Sequence, residues 1–178
     1  MAKNDADGAA ETDEAAAVED AVKAQPKVSV VAQYVRDMSF ENVAVTSGDG
    51  KMDAKPEIQV GVNLDAKKKE DERFEVVLKI NATAKSGEEV MFLVELEYAG
   101  VFKVEGVPDN RLHPVLLIEC PRILFPFARR IVADATRDGG YPPLLLDMVD
   151  FAGIYTAELK RRQEAITEKA KEEAAGTA

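Results

Sequence analysis

The stretch FEVVLKINATAKSGEEVMFLVELEY, residues 74–98, decides the fold class of this chain. Apolar side chains occupy every second position on both sides of a short Ser-Gly-Glu segment at 86–88. Successive side chains of a strand point to opposite faces, so this alternation predicts two β-strands, at 74–82 and 90–98. The Ser-Gly-Glu segment is typical of a hairpin turn, and the two strands are therefore predicted to pair antiparallel.

Two further strands are predicted on the N-terminal side of this hairpin. Residues 31–43 and 58–64 repeat the period of two, and in the second of them Ile58, Val60 and Val62 form the apolar face. The segment 47–50, Ser-Gly-Asp-Gly, predicts a turn between them. Residues 66–73 are highly charged, and we expect them to form a loop that leads into the hairpin.

The chain changes to helical spacing after the fourth strand. Apolar residues of 116–135 recur every three or four positions, which predicts a helix. Pro121 and Pro126 lie inside it and remove backbone donors, so this helix is expected to be kinked or broken. Two glycines at 139–140 predict its end, and an extended connection follows from Tyr141. Asp150 is the predicted N-cap of a last helix.

These elements predict an α+β fold, with a four-stranded antiparallel sheet and two C-terminal helices, the first kinked at prolines. Two helices cover one face of such a sheet but leave apolar surface on the long helix, which indicates an oligomer. Residues 27–165 are the predicted domain. Residues 1–26 are predicted to be a disordered acidic tail and residues 166–178 a flexible C-terminal tail.

The composition favours some classes of function over others. The formal net charge is −10, and so acidic a chain repels phosphate backbones, which argues against nucleic-acid binding. The N-terminus has no cationic segment followed by an apolar run, and no stretch is apolar enough to span a bilayer. The single cysteine fits a reducing compartment, so a cytoplasmic location is predicted.

Motifs for catalysis are scarce. The sequence contains no phosphate-binding loop, and one histidine with one cysteine does not make a metal site, so no cofactor and no enzymatic activity are predicted. His113 and Cys120 are seven residues apart, which on a regular helix places them on one face. A Cys–His nucleophile pair is therefore the alternative from another class of protein. The competing interpretation is a buried thiol and a histidine at a helix start.

Two surfaces have less ordinary patterns. Asp37 and Glu41 share one face of the first strand, and Leu93 and Glu95 share one face of the fourth. If those faces are adjacent, the sheet presents acids around an exposed leucine; an ordinary solvated face is the alternative. The extended segment around Tyr141 is a candidate wall of an apolar groove beside the second strand. For most of the apolar residues nearby, core and subunit interface is the better interpretation.

Three motifs together resemble the SecB family of protein-export chaperones. They are Glu-Cys-Pro-Arg-Ile-Leu-Phe-Pro-Phe-Ala-Arg at 119–129, Gly-Gly-Tyr-Pro-Pro-Leu at 139–144 and Val-Asp-Phe at 149–151. The resemblance covers roughly 28–163 and implies a homotetramer built as a dimer of dimers. It also implies a chaperone that binds unfolded precursors in the cytoplasm and delivers them to the motor SecA, with no ATPase activity of its own.

The resemblance also implies roles for particular residues. The SecA contact surface corresponds to Asp37, Glu41, Leu93 and Glu95, and the precursor groove to Ile58, Val60 and Val62, beside Tyr141. Met148 stands where many members have proline, and Tyr141 where phenylalanine is usual. SecB-like proteins also serve toxin–antitoxin pairs, so that client class is a further alternative.

Overall fold

The computed structural model describes residues 26–44 and 56–175, with side chains up to residue 167. Most of the predicted acidic tail, and the turn predicted at 47–50, lie outside the described residues. The strands are β1 (Lys27–Asn42), β2 (Glu57–Lys68), β3 (Arg73–Ser86) and β4 (Glu89–Glu105). They form one sheet in the order β1-β4-β3-β2, and every neighbouring pair is antiparallel. The predicted four-stranded antiparallel sheet is confirmed.

The hairpin predicted from the 74–98 stretch forms the centre of this sheet. Ser86 pairs with Glu89 across the turn, and Gly87 has φ +62°, a conformation that glycine adopts without steric cost. Each of the two hairpin strands also pairs with one outer strand. The alternating apolar residues of β3 and β4 are therefore held by hydrogen bonds on both sides.

The loop predicted at 66–73 is shorter than expected. β2 continues through Lys68, and β3 begins at Arg73. Charged residues did not end β2 because it is an edge strand, whose long side chains can reach solvent. The remaining turn is tight: Asp71 and Glu72 have φ of 54° and 55°, and the Arg73 amide donates to the carbonyl of Glu70 at 3.2 Å.

The helical region begins earlier than predicted and contains one irregular turn. It runs through α1 (Asp109–Pro114), a π-helical turn (Val115–Glu119) and α2 (Cys120–Asp138), and α3 follows at Phe151–Ala175. Pro121 has no amide hydrogen to donate to the preceding turn, and the irregular turn ends two residues before it, at Glu119. Pro126 does not end α2. α3 continues past the domain boundary predicted at residue 165.

The core lies between α2 and the face of the sheet that β3 and β4 share. Leu78 and Leu96 from the sheet and Leu124 and Val132 from α2 are all less than 2 % exposed. The sheet thus has one face covered by helix and one open face.

No helix within the described part of the chain is both long and apolar enough to cross a membrane.

Candidate functional site

The open face of the sheet brings the predicted acidic residues together. In the register of β1 with β4, Ser39 lies opposite Glu95, and Glu41 lies opposite Leu93. Side chains that face each other across antiparallel strands are about 5 Å apart at Cβ and lie on the same face. Asp37 is two residues from Ser39 on that face, opposite Glu97. The adjacency that the strand pattern left conditional is therefore present.

Neighbouring cations neutralise some of these acids but not others. Glu97 lies 3.4 Å from Arg36 and 3.3 Å from Lys79, and Lys79 also lies 2.9 Å from Asp65. These carboxylates raise the pKa of Lys79, with Asp65 contributing most. Within the described residues no cation lies within 4 Å of the other acids in this region. We call the region the acidic patch; it consists of Asp37, Glu41, Leu93 and Glu95.

The opposite end of the open face is compensated internally. The Tyr34 hydroxyl donates a hydrogen bond to Glu75, and Lys69 lies 3.3 Å from the same carboxylate. The hydrogen bond from Tyr34, followed by Lys69, holds the pKa of Glu75 below its usual value. The same bond raises the pKa of Tyr34. The two ends of one sheet face thus differ: one carries paired charges, and the other presents acids that pair with no cation of the described residues.

The predicted groove strand borders a cavity on the helical side of the sheet. Ile58 and Val60 pair with the buried residues Ala84 and Ala82, so their side chains share the covered face, yet they are 39 % and 46 % exposed. Residues 144–149 lie across from them and enclose a cavity of about 360 Å³. We call this cavity the apolar groove. Its lining consists of Ile58, Val60, Val62 and residues 144–149.

Tyr141 does not line the apolar groove. Its side chain is only 6 % exposed and packs on Phe92, with ring centroids 4.7 Å apart. Its hydroxyl donates to Asn42 Oδ1 at 2.7 Å and lies 3.1 Å from the carbonyl oxygen of Met91. Burial raises the pKa of this phenol. Tyr141 thus holds the start of the segment that forms the groove wall.

Two residues of that wall were not among the groove residues predicted from the sequence. Leu145 and Met148 are 64 % and 83 % exposed and line the apolar groove opposite β2. The sequence contained a signal for them, an apolar run in an extended segment after two prolines. Successive side chains of such a segment point to opposite sides, so some of them must stay outside the core. Asn42, which holds Tyr141, gave no signal of its own, because its partner is 99 positions away in sequence.

The Cys–His alternative does not fit the structure. Cys120 is fully buried, and burial raises the pKa of its thiol to about 12. A nucleophilic cysteine needs an accessible thiolate, and this environment suppresses it. His113 instead contacts Tyr155 of α3, with Nδ1 3.1 Å from the phenol oxygen. The competing interpretation of Cys120 as a buried structural thiol fits the packing.

A separate apolar surface joins β1 to α2. Val35 and Met38 of the edge strand are 45 % and 38 % exposed, on the same side of the sheet as the helix. On α2, Phe127 is 41 % exposed and stacks on Tyr98, the residue opposite Val35. Nearby in sequence, the Nε atom of Arg129 is buried and has no hydrogen-bond acceptor among the described residues. These features are typical of a surface that is covered in an assembly.

Comparisons with protein families and with curated proteins find related sequences. The model of the family described as preprotein translocase subunit SecB matches residues 21–162. A protein-export protein SecB of Ruegeria pomeroyi is 52 % identical over 168 residues, which are 93 % of this chain and 99 % of that protein. A protein of the same name from Cereibacter sphaeroides is 54 % identical over 145 residues, which are 79 % of this chain and 87 % of that protein.

One solved structure has a similar fold at low sequence identity. It is a SecB-like chaperone of Mycobacterium tuberculosis in complex with a ChAD peptide from the HigA1 antitoxin. The TM-score is 0.56 at 13 % identity, over 70 % of this chain and 91 % of that chain. At this identity the likeness concerns the fold.

Proposed function

This chain belongs to the SecB family and is a protein-export chaperone, and we propose that it binds unfolded precursor polypeptides in the cytoplasm without nucleotide. The chaperone keeps each precursor competent for translocation and hands it to SecA. The observation that carries the proposal is the apolar groove beside an edge strand. Neither the holding step nor the handover requires enzymatic activity.

The apolar groove suits an extended polypeptide. β2 is an edge strand, so its outer backbone groups pair with no strand of the described residues. An extended segment can hydrogen-bond to such an edge and place alternate side chains against apolar residues. Main-chain pairing does not read sequence, which suits a chaperone with many clients. Folded proteins hide both kinds of group, so unfolded chains are selected.

The acidic patch suits a basic partner. Its carboxylates pair with no cation of the described residues and would attract a cationic surface, and the half-buried Leu93 adds an apolar contact at their centre. Release of a precursor without nucleotide requires a competing partner, and we assign that role to SecA. The acidic patch and the apolar groove lie on opposite faces of the sheet, so SecA and a precursor can be bound at the same time.

The apolar surface of β1 and α2 supports a homotetramer, built as a dimer of dimers. The described chain leaves Val35 and Phe127 exposed, and a second copy would cover them. Several grooves on one assembly raise the effective concentration of binding sites for a long precursor. Weak binding at each groove then gives tight binding overall.

The solved structure with the antitoxin peptide provides a second candidate client. That SecB-like chaperone is bound to a peptide from an antitoxin. The curated relatives at 52 % and 54 % identity carry the protein-export name, which favours precursors for this chain. A comparison of binding to a denatured precursor with binding to an unfolded antitoxin distinguishes the two clients.

The proposal is tested by refolding a denatured secretory precursor with the purified protein and no nucleotide. We expect slower refolding and a complex at the mass of a tetramer plus precursor. Refolding at the unassisted rate would overturn the holding function. A monomer that still slows refolding would overturn only the assembly.

A further inference from the structure

The last turn of α2 buries a hydroxyl group on a face that is otherwise apolar. Thr136 is 0 % exposed, whereas the other side chains that α2 buries are apolar. A valine has nearly the same shape as threonine and would fill this position without a polar atom. A buried hydroxyl costs free energy unless it is hydrogen-bonded, so the bonds that it makes indicate its role.

The Thr136 hydroxyl is hydrogen-bonded both as donor and as acceptor. It donates into its own helix, where the carbonyl oxygens of Val132 and Ala133 each lie 3.1 Å away. It accepts a hydrogen bond from the amide of Leu144 at 2.9 Å. Leu144 is the first residue of the groove wall, which consists of residues 144–149 and lies across the apolar groove from β2. The hydroxyl therefore joins α2 directly to the groove wall.

The backbone of Thr136 also holds the chain that leads to this wall. The Tyr141 amide donates to the Thr136 carbonyl at 3.1 Å, and the Gly140 amide donates to the Arg137 carbonyl at 3.0 Å. Together with the φ of +89° at Gly140, these two bonds form a Schellman motif, which ends a helix and redirects the chain. Thr136 thus accepts from two amides of the connection, those of Tyr141 and Leu144.

The bond to Leu144 determines which side chains of the wall face the groove. Residues 142–150 belong to no helix or strand, so no regular hydrogen-bond pattern of their own directs them. Leu146 is 4 % exposed and anchors the wall in the core, whereas Leu145 is 64 % exposed. Successive side chains of an extended segment point to opposite sides. A wall tied at the Leu144 amide cannot rotate about its own axis, and Leu145 is kept at the groove.

We infer that Thr136 is a positioning residue for the precursor site, because its hydroxyl fixes the groove wall before a precursor arrives. This inference rests on the proposed function of the apolar groove. A wall that is already in place loses little conformational freedom on binding, and that loss would otherwise be subtracted from the binding free energy. Thr136 itself is buried and touches no precursor. The acidic patch lies on the other face of the sheet and is not involved.

The test compares two substitutions of Thr136 that separate its hydroxyl from its methyl group. Thr136→Val removes the hydroxyl at nearly unchanged shape, and Thr136→Ser keeps the hydroxyl and removes the methyl group. Val132→Ala is the matched control: it removes methyl groups from the same buried face of α2 and leaves the Thr136 hydroxyl and its partners in place. Affinities for a fluorescently labelled, urea-denatured secretory precursor and for SecA are measured in each variant.

A second measurement follows the wall itself. Hydrogen–deuterium exchange, resolved to single amides, is recorded for each variant without precursor. In Thr136→Val the Leu144 amide should exchange about tenfold faster than in the native chain, because its acceptor is gone. The Tyr141 amide donates to the backbone carbonyl of the same residue and should stay protected.

We expect Thr136→Val to bind the precursor about fivefold more weakly, since the wall must then be ordered on binding and the Leu144 amide has lost its acceptor. Thr136→Ser should bind nearly as the native chain does. Val132→Ala should be less stable towards denaturant but should keep its precursor affinity. SecA affinity should be unchanged in every variant. If Thr136→Val does not fold, Thr136→Ala removes the same hydroxyl and replaces it in this comparison.

Different outcomes overturn different statements. The inference falls if Thr136→Val binds the precursor as tightly as the native chain, or if Thr136→Ser is weakened as much as Thr136→Val. Equal weakening in Val132→Ala would assign the effect to general stability and would also overturn it. If the native chain binds no precursor, the proposed function is wrong, and the exchange of the Leu144 amide still shows whether Thr136 fixes the wall.

Discussion

Glu41 of β1 lies directly opposite Leu93 of β4 on the open face of the sheet. A carboxylate thus stands beside a half-buried leucine. Among the described residues the nearby cations Arg36 and Lys79 pair with Glu97, and none lies within 4 Å of Asp37, Glu41 or Glu95. This combination of one apolar contact and uncompensated charge is typical of protein interfaces steered by electrostatics.

Reversal of one charge in the acidic patch should weaken partner binding selectively. Glu95→Lys is expected to weaken SecA binding by at least about tenfold, because a cation then repels the basic partner from the centre of the patch. Precursor binding should be unchanged. Affinities for both, measured by titration at two salt concentrations, check this. Glu70→Lys, the same change in the turn between β2 and β3, is the control; equal loss of both affinities in Glu95→Lys contradicts the assignment.

A charge in the apolar groove should weaken precursor binding. Val60→Asp is expected to lower precursor affinity by about tenfold, since covering a valine side chain contributes about 1.5 kcal/mol. The variant should remain assembled and bind SecA normally. Gln59→Asp places the same carboxylate on the opposite face of β2 and serves as control. Equal precursor affinity for Val60→Asp and the native chain would show that Val60 does not contact the precursor.

The apolar surface of β1 and α2 should prove to be a subunit contact. Phe127→Glu is expected to shift the assembly to a smaller species, because an unpaired carboxylate is costly to bury. Light scattering during size-exclusion chromatography gives the mass. Leu159→Glu changes a similarly exposed side chain of α3 and should leave the mass unchanged. A Phe127→Glu variant of native mass would place the subunit contact elsewhere.

Cys120 should be unreactive while the chain is folded. With a thiol pKa of about 12, the thiolate fraction at pH 8 is on the order of one in ten thousand. Iodoacetamide at pH 8 should therefore modify the native protein very slowly and the urea-unfolded protein readily. Mass spectrometry of the two reactions measures the difference. Comparable rates in both states would revive the nucleophile alternative.

The turn between β2 and β3 should be more stable with glycine than with the native glutamate at position 72. Glu72 has φ +55°, and the preceding Asp71 also has positive φ, a pattern that favours glycine in tight hairpins. Glu72→Gly is expected to raise the free energy of unfolding by about 1 kcal/mol through relief of backbone strain. Denaturant unfolding at one fixed protein concentration checks this. Glu70→Gly, two positions earlier and without positive φ, should bring no gain; equal gains would show that strain is not the cause.

The sequence by itself determined the four strands, the two long helices and the faces that the central hairpin buries. Alternation along 74–98 fixed which side chains of β3 and β4 enter the core, and the same rule placed Asp37 with Glu41 and Leu93 with Glu95. Local periodicity suffices for this, because it depends only on the geometry of one strand. The three motifs that resemble the SecB family added the expected function.

Only the tertiary structure decided which faces meet and where the connection turns. No local pattern indicated that Glu41 pairs with Leu93, since register depends on bonds between strands far apart in the chain. It placed Tyr141 at the groove, yet packing on Phe92 and the bond to Asn42 turn it into the core and leave Leu145 and Met148 outside. A side chain in an irregular segment has no period to direct it, so contacts between distant residues decide its direction.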